Sequence, residues 1–261
     1  RDWSSDVCSS DLNMAHGPDK RFSLNTGAQA ERMTSAQAHA AGIDAGLRAY
    51  MLKVYNYMCI GLALTGAVAF ATSSSPAMMQ VIHGTPLKWV AMLAPIGMVF
   101  FLAARVHAMK ASTAQAVFWV YAGLMGLSLS YIFMVYTGAS VTRVFFITAG
   151  AFAGLSLYGY TTKKDLSGMG SFLIMGVIGL LIASVVNIFL ESTAMQFAIS
   201  VLGVLIFAGL TAYDTQRIKS IYYEGDGTDV AEKKAIMGAL TLYLDFINMF
   251  LFMLQLFGNR E

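Results

Sequence analysis

Two carboxylates stand where a carboxylate is expensive. Asp245 lies within A-I-M-G-A-L-T-L-Y-L-D-F-I-N-M-F-L-F-M-L-Q-L-F (235–257), surrounded by Leu, Ile, Phe and Met, and Asp214, in A-Y-D-T-Q-R-I-K, ends the preceding apolar stretch. An ionisable group inside a bilayer marks a functional position and needs a partner, and each acid is the obvious partner for the other. They flank the one long charged link, 217–234. If the two helices are antiparallel and emerge symmetrically from that link, both acids reach the same depth. Two carboxylates in contact away from bulk water cannot comfortably both ionise, so they share a proton and titrate as a pair. Protonated, they attract through a hydrogen bond; deprotonated, they repel and bias the helices apart. Such a dyad responds to cytoplasmic pH.

Other partners compete. Arg217, three residues beyond Asp214, can pair with it along the same helix. Asn248 puts a second polar group on the face of Asp245. Arg105, in F-F-L-A-A-R-V-H, either reaches inward to a carboxylate or serves as an ordinary interfacial anchor. Familiar catalytic arrangements are missing. G-L-S-L around Ser156 is not the G-x-S-G of an intramembrane serine protease, and the last three apolar segments contain no histidine. Segment 235–257 has no lysine for a retinal Schiff base. The loop E-G-D-G-T-D fails as a calcium-binding EF-hand, since aligning Gly227 to the turn glycine puts Tyr222 first and Lys233 last among the ligands. His83 and His107 are isolated, so no zinc site emerges, and phosphate-binding glycine motifs are absent. No enzyme is expected, and no cofactor.

The elements that must hold the dyad are membrane spans. The 261 residues are 57% hydrophobic and 12% charged, where a soluble chain carries about 25% charged residues; mean hydropathy is +0.61. Apolar segments run at about 52–72, 87–106, 114–136, 143–161, 170–190, 195–216 and 235–257, each close to the ~20 residues that cross a hydrocarbon core of ~30 Å. This predicts an all-α polytopic protein of seven transmembrane helices. Residues 1–45, polar and short of aromatics, read as a disordered tail, with 1–12 non-native in character and Met14 close to the true start. The net charge of +2 gives no reason to expect a nucleic-acid partner. Cys8 and Cys59 form no disulfide framework, and Cys59 reads as a small hydrophobe. Of the 17 Lys and Arg residues, all but Lys88, Arg143 and Arg260 fall on one side of the alternating spans. The positive-inside rule makes that side cytoplasmic, with the N-terminus inside and the C-terminus outside. Gly150 and Gly154 form a G-x-x-x-G, and Gly123, Gly126, Gly176 and Gly179 add further small positions where helix backbones could approach closely.

Four stretches, L-R-A-Y-M-L-K-V-Y (47–55), G-L-S-L-Y-G-Y-T-T-K-K-D-L-S (154–167), G-L-T-A-Y-D-T-Q-R-I-K (209–219) and L-Y-L-D-F-I-N-M-F (242–250), resemble the bacterial branch of the Bax-inhibitor-type membrane proteins. The resemblance covers about 45–259. It implies six helices around a central seventh and a pH-responsive aspartate pair near the cytoplasmic side, through which calcium leaks down its gradient. Matched by motif, that pair is Asp214 and Asp245, and the arginine that can lock onto the first acid is Arg105. The implied protein is a pH-sensitive calcium leak of the bacterial inner membrane, interacting with lipid, protons and calcium. Calcium takes 6–8 oxygens, so two acids would bind it weakly and transiently. Two alternatives stay open: a membrane regulator that binds another membrane protein and transports nothing, and a proton-coupled transporter with a midplane pocket.

Overall fold

The computed structural model describes residues 20–259, with side chains from residue 45 onward except His107. The proposed non-native stretch 1–12 lies outside these residues. Among the described residues there are nine α-helices and no strand: α1 (Lys20–Ser73), α2 (Pro76–His83), α3 (Leu87–Arg105), α4 (Ala111–Leu129), α5 (Ile132–Val135), α6 (Gly138–Thr161), α7 (Ser167–Leu190), α8 (Thr193–Ser220) and α9 (Thr228–Phe257). Seven spans are long and apolar enough to cross a membrane: Ala45–Ser73, Leu87–Arg105, Ala111–Val135, Gly138–Thr161, Ser167–Leu190, Thr193–Ser220 and Thr228–Phe257. They follow the seven apolar segments, and the helices run past several of them into polar flanks.

Local chemistry sets the breaks. Ser75 accepts from Met78 N–H and Pro76 occupies the first turn of α2, both favourable at a helix start. Thr137 and Ser192 cap α6 and α8 by accepting from Ser140 N–H and Met195 N–H. Between α7 and α8 the chain turns through Glu191, whose φ of 47° is left-handed and closes α7. The third span breaks after Leu129, where the Ser130 hydroxyl donates to Leu127 O and packs against His83, whose Nε2 lies 2.9 Å from Ser130 Oγ. Within the stretch read as a polar tail, the backbone of residues 20–45 is helical from Lys20. Ala, Gln, Glu, Arg and Met recur there, and their helix propensity outweighs the shortage of apolar residues.

α9 is the axis of the bundle. Two thirds of its apolar window (67%) is buried, against 17–33% for the six other spans. Its side chains meet a different neighbour on each side. Tyr243 packs edge-on against Phe118 and Tyr121 of α4, with ring centroids 6.2 and 5.4 Å apart, and its hydroxyl lies 2.7 Å from Thr65 Oγ1 of α1. Phe246 meets Phe145 and Phe152 of α6, and Phe252 stacks on Phe207 of α8. α7 packs on the outside of α8, where a Cβ at Gly170 would lie 2.4 Å from the Tyr213 ring. The outward faces carry large exposed apolar side chains such as Phe172, Met175 and Phe189, as a lipid-facing surface requires.

The glycine expectation holds at Gly126 and Gly176, where a Cβ would lie 2.7 Å from Thr65 O of α1 and 2.9 Å from the Ile206 side chain of α8, and needs correcting at the other four. A Cβ added at Gly123, Gly150, Gly154 or Gly179 would meet nothing within 4 Å, because these glycines face away from neighbouring helices. The close approach of α6 to α8 occurs one turn further on, at Gly159, where a Cβ would lie 2.2 Å from Ala212 O.

Candidate functional site

Asp214 and Asp245 face each other across the α8–α9 contact, 7% and 4% exposed, with their carboxyl groups within hydrogen-bonding reach of each other. A carboxylate only accepts, so a hydrogen bond between them requires a proton on one of the two. The second oxygen of Asp245, Oδ2, is buried and accepts no hydrogen bond from any described residue. In sequence the acids are flanked by buried groups: Phe246 and Ile247 follow Asp245, and Thr211 and Thr215 flank Asp214, their hydroxyls donating to Phe207 O and Thr211 O.

The acids meet without the symmetry expected of them. Asp214 lies about six residues before the end of α8 and Asp245 about seventeen after the start of α9, so α9 begins roughly 16 Å further out at 1.5 Å per residue. That protruding part is polar and tied down. Glu232 accepts from Lys53 Nζ and the Tyr57 hydroxyl of α1. Asp229 accepts from Ala111 N–H at the start of α4, 2.9 Å away, and pairs with Lys233 at 2.8 Å. Lys233 and Lys234 donate to Met109 O and Ile221 O, and Lys234 also pairs with Asp226 at 2.5 Å. Ion pairs at the outer end thus extend α9 past α8 before it enters the apolar core.

The remaining sequence candidates stand apart from the dyad. Arg217 is exposed; its charge acts on Asp214 through space. Among the described residues the ion pairs join Lys53 to Glu232, Lys233 to Asp229 and Lys234 to Asp226, and neither Arg217 nor Arg105 takes part. Arg105 ends α3 with its side chain exposed. The Asn248 amide donates back to Leu244 O at 2.8 Å, which uses it within its own helix. Among the described residues no third His, Cys, Asp or Glu joins the two acids in a metal-holding group.

Sequence reasoning missed a chain of hydroxyls linking three helices. Tyr55 OH of α1 lies 2.5 Å from Ser156 Oγ of α6, which lies 3.0 Å from Thr215 Oγ1 of α8. Ser156 drew attention only as a nucleophile. The available signal was the small polar residues recurring inside apolar spans, which hydrogen-bond across helices in lipid.

With this geometry in place, comparison with known proteins is informative. A family model described as "Inhibitor of apoptosis-promoting Bax1" matches residues 47–261. The chain belongs to the Bax-inhibitor family. The match starts where the seven-helix unit, Leu47–Glu261, begins, and both aspartates fall inside it. Family relatives include an uncharacterised protein of Caulobacter vibrioides, 52% identical over 230 residues (84% of this chain, 92% of the relative). Another, from Rickettsia prowazekii, is 50% identical over 218 residues (84% and 92%). The inner membrane protein YbhL of Escherichia coli is 46% identical over 220 residues (83% and 94%).

Proposed function

We propose that this protein is a pH-sensitive cation leak of the bacterial inner membrane, with calcium as the permeant ion and the Asp214–Asp245 pair as its gate. The carrying observation is the close approach of two buried carboxyl groups where the central helix meets α8, near enough to share a hydrogen bond. The bond holds while a proton is shared. When the proton leaves, two negative charges face each other in a low-dielectric interior, and the repulsion favours separation of α9 from α8. Separation opens a path lined by carboxylates, which attracts cations. Two carboxylates are too few oxygens to hold calcium firmly, which suits passage better than storage.

In this reading the N-terminus and the α8–α9 link are cytoplasmic, following the distribution of Lys and Arg, and the inner-membrane location follows the relative YbhL. Arg105 is the cation that would take over Asp214 in the separated state. Calcium entry into proteoliposomes between pH 6 and pH 8 tests the proposal. Flux that rises with pH in the wild type and loses its pH response in Asp245→Asn supports it; an Asp245→Asn protein with unchanged flux and pH response contradicts it.

One observation favours a second reading. α9 is wedged by aromatic contacts to α4, α6 and α8 and pinned by ion pairs at its outer end, as suits a fixed post in a membrane regulator that conducts nothing. Zero flux at every pH from well-folded protein would favour it.

A further inference from the structure

A groove opens on the side of the bundle between α1 and α6, with a cavity of about 790 Å³. Its walls are apolar, including Leu62, Phe152 and Leu157, and its floor is Phe246 of the central helix. We propose that this groove is a binding site for one anionic phospholipid, its acyl chain lying against Phe246 and its phosphate at Arg48.

The polarity profile carries the assignment. The two hydroxyls in the body of the groove are already satisfied: Tyr55 OH and Ser156 Oγ bond to each other at 2.5 Å, and Ser156 bonds onward to Thr215 at 3.0 Å; the Cys59 thiol beside them is only a weak donor. The body of the groove therefore asks no hydrogen bond of its occupant, and a hydrocarbon chain meets that condition. Charge appears only at one mouth. Arg48 lines that end, is exposed, and makes no ion pair among the described residues. Tyr160, also at that end, is covered by Lys219, whose Nζ donates to Tyr160 O at 2.9 Å and sits 4.9 Å from the ring centroid. Lys163 and Lys164 follow in the turn after α6. No carboxylate lines the groove; Asp165 is the one acid of the Lys163–Lys164 turn and accepts from Ser167 N–H, so the mouth keeps an excess of positive charge that complements a negative headgroup.

The length fits one leaflet. The α1 wall runs from Arg48 to Ala63, about 22 Å of helix at 1.5 Å per residue. Half of a bilayer with its headgroup zone spans roughly 20–22 Å. A single lipid placed with its phosphate at Arg48 therefore reaches the end of the groove at the bilayer midplane. The volume lies within the roughly 300–1,000 Å³ of sites that bury a small ligand. The assignment holds whether or not the protein conducts ions.

Native mass spectrometry of the delipidated full chain, offered phosphatidylglycerol or phosphatidylcholine at equal concentration, tests it. The wild type should retain one phosphatidylglycerol in roughly fivefold preference, the contribution of one arginine near an anionic surface. Arg48→Gln should bring the two lipids to parity. Ala153→Trp, which fills the groove from an exposed position, should abolish the first bound lipid of either kind while the helical circular dichroism is kept. Equal retention of both lipids by the wild type overturns the proposal, and so does undiminished retention by Ala153→Trp. A preference that survives Arg48→Gln overturns the placement of the phosphate.

Discussion

Replacing Gly159 by alanine tests the packing that sets the height of Asp214. A Cβ at this position would lie 2.2 Å from Ala212 O and 2.9 Å from its carbonyl carbon. Both are backbone atoms of α8, two residues before Asp214, so no side chain can rotate out of the way. An ordinary contact is at least 3.4 Å, which obliges α6 and α8 to part locally by about 1.2 Å. Forcing extra volume into a packed contact costs about 1–3 kcal/mol. Alanine in place of a helical glycine returns about 0.5–1 kcal/mol. The net expectation is destabilisation by roughly 1–2 kcal/mol, at ~2–4 °C of melting temperature per kcal/mol in a protein of this size. Gly154→Ala is the internal control on the same helix, since its Cβ meets nothing within 4 Å; it should match the wild type or melt slightly higher. Thermal unfolding of the detergent-solubilised variants, followed by circular dichroism, gives the answer. If Gly159→Ala melts with or above Gly154→Ala, the α6–α8 contact does not have the described geometry and the reasoning fails.

Three further outcomes follow from contacts already described. Thr65→Val removes the donor to Ala122 O at 2.9 Å and the partner of Tyr243 OH at 2.7 Å; leaving buried polar groups unmet should cost about 1–3 kcal/mol in thermal unfolding, more than Tyr243→Phe, which spares the Ala122 bond. Lys53→Gln breaks a half-exposed ion pair with Glu232, so its cost should stay below about 1 kcal/mol and shrink further in high salt; a larger, salt-insensitive loss would show that the anchoring of α9 has been misjudged. Asp245→Leu strands Asp214 without its carboxyl partner and should destabilise by about 1–3 kcal/mol, whereas Asp245→Asn, able to donate as a protonated acid does, should melt close to wild type at acidic pH.

Much of this architecture is legible in the amino acids because lipid permits so few solutions. Each of the seven spans sits on an apolar stretch of bilayer length, and Asp214 and Asp245, the two acids within those stretches, lie close together across the α8–α9 contact. Where the reading departed from the structure, the cause is three-dimensional. The asymmetric placement of the acids depends on how far α9 extends beyond α8, which Glu232 and Asp229 settle through partners more than a hundred residues away in sequence. Nothing local encodes those partners. Small-residue spacing marked Gly150 and Gly154 but could not say which face of α6 meets α8, and the contact fell at Gly159. Small polar residues inside the spans signalled hydrogen bonds between helices, but not the Tyr55–Ser156–Thr215 pairing itself, since each residue lies on a different helix.

The dyad remains the centre of the account. Its two carboxyl groups lie close enough to share one proton, while Arg217 and Arg105 both lie outside ion-pair contact with it. The most direct measurement is calcium flux into proteoliposomes at stepped pH from 6 to 8, wild type beside Asp245→Asn. The account predicts wild-type flux that grows as pH rises and a variant whose flux no longer follows pH. Identical pH-dependent curves for the two proteins would contradict it.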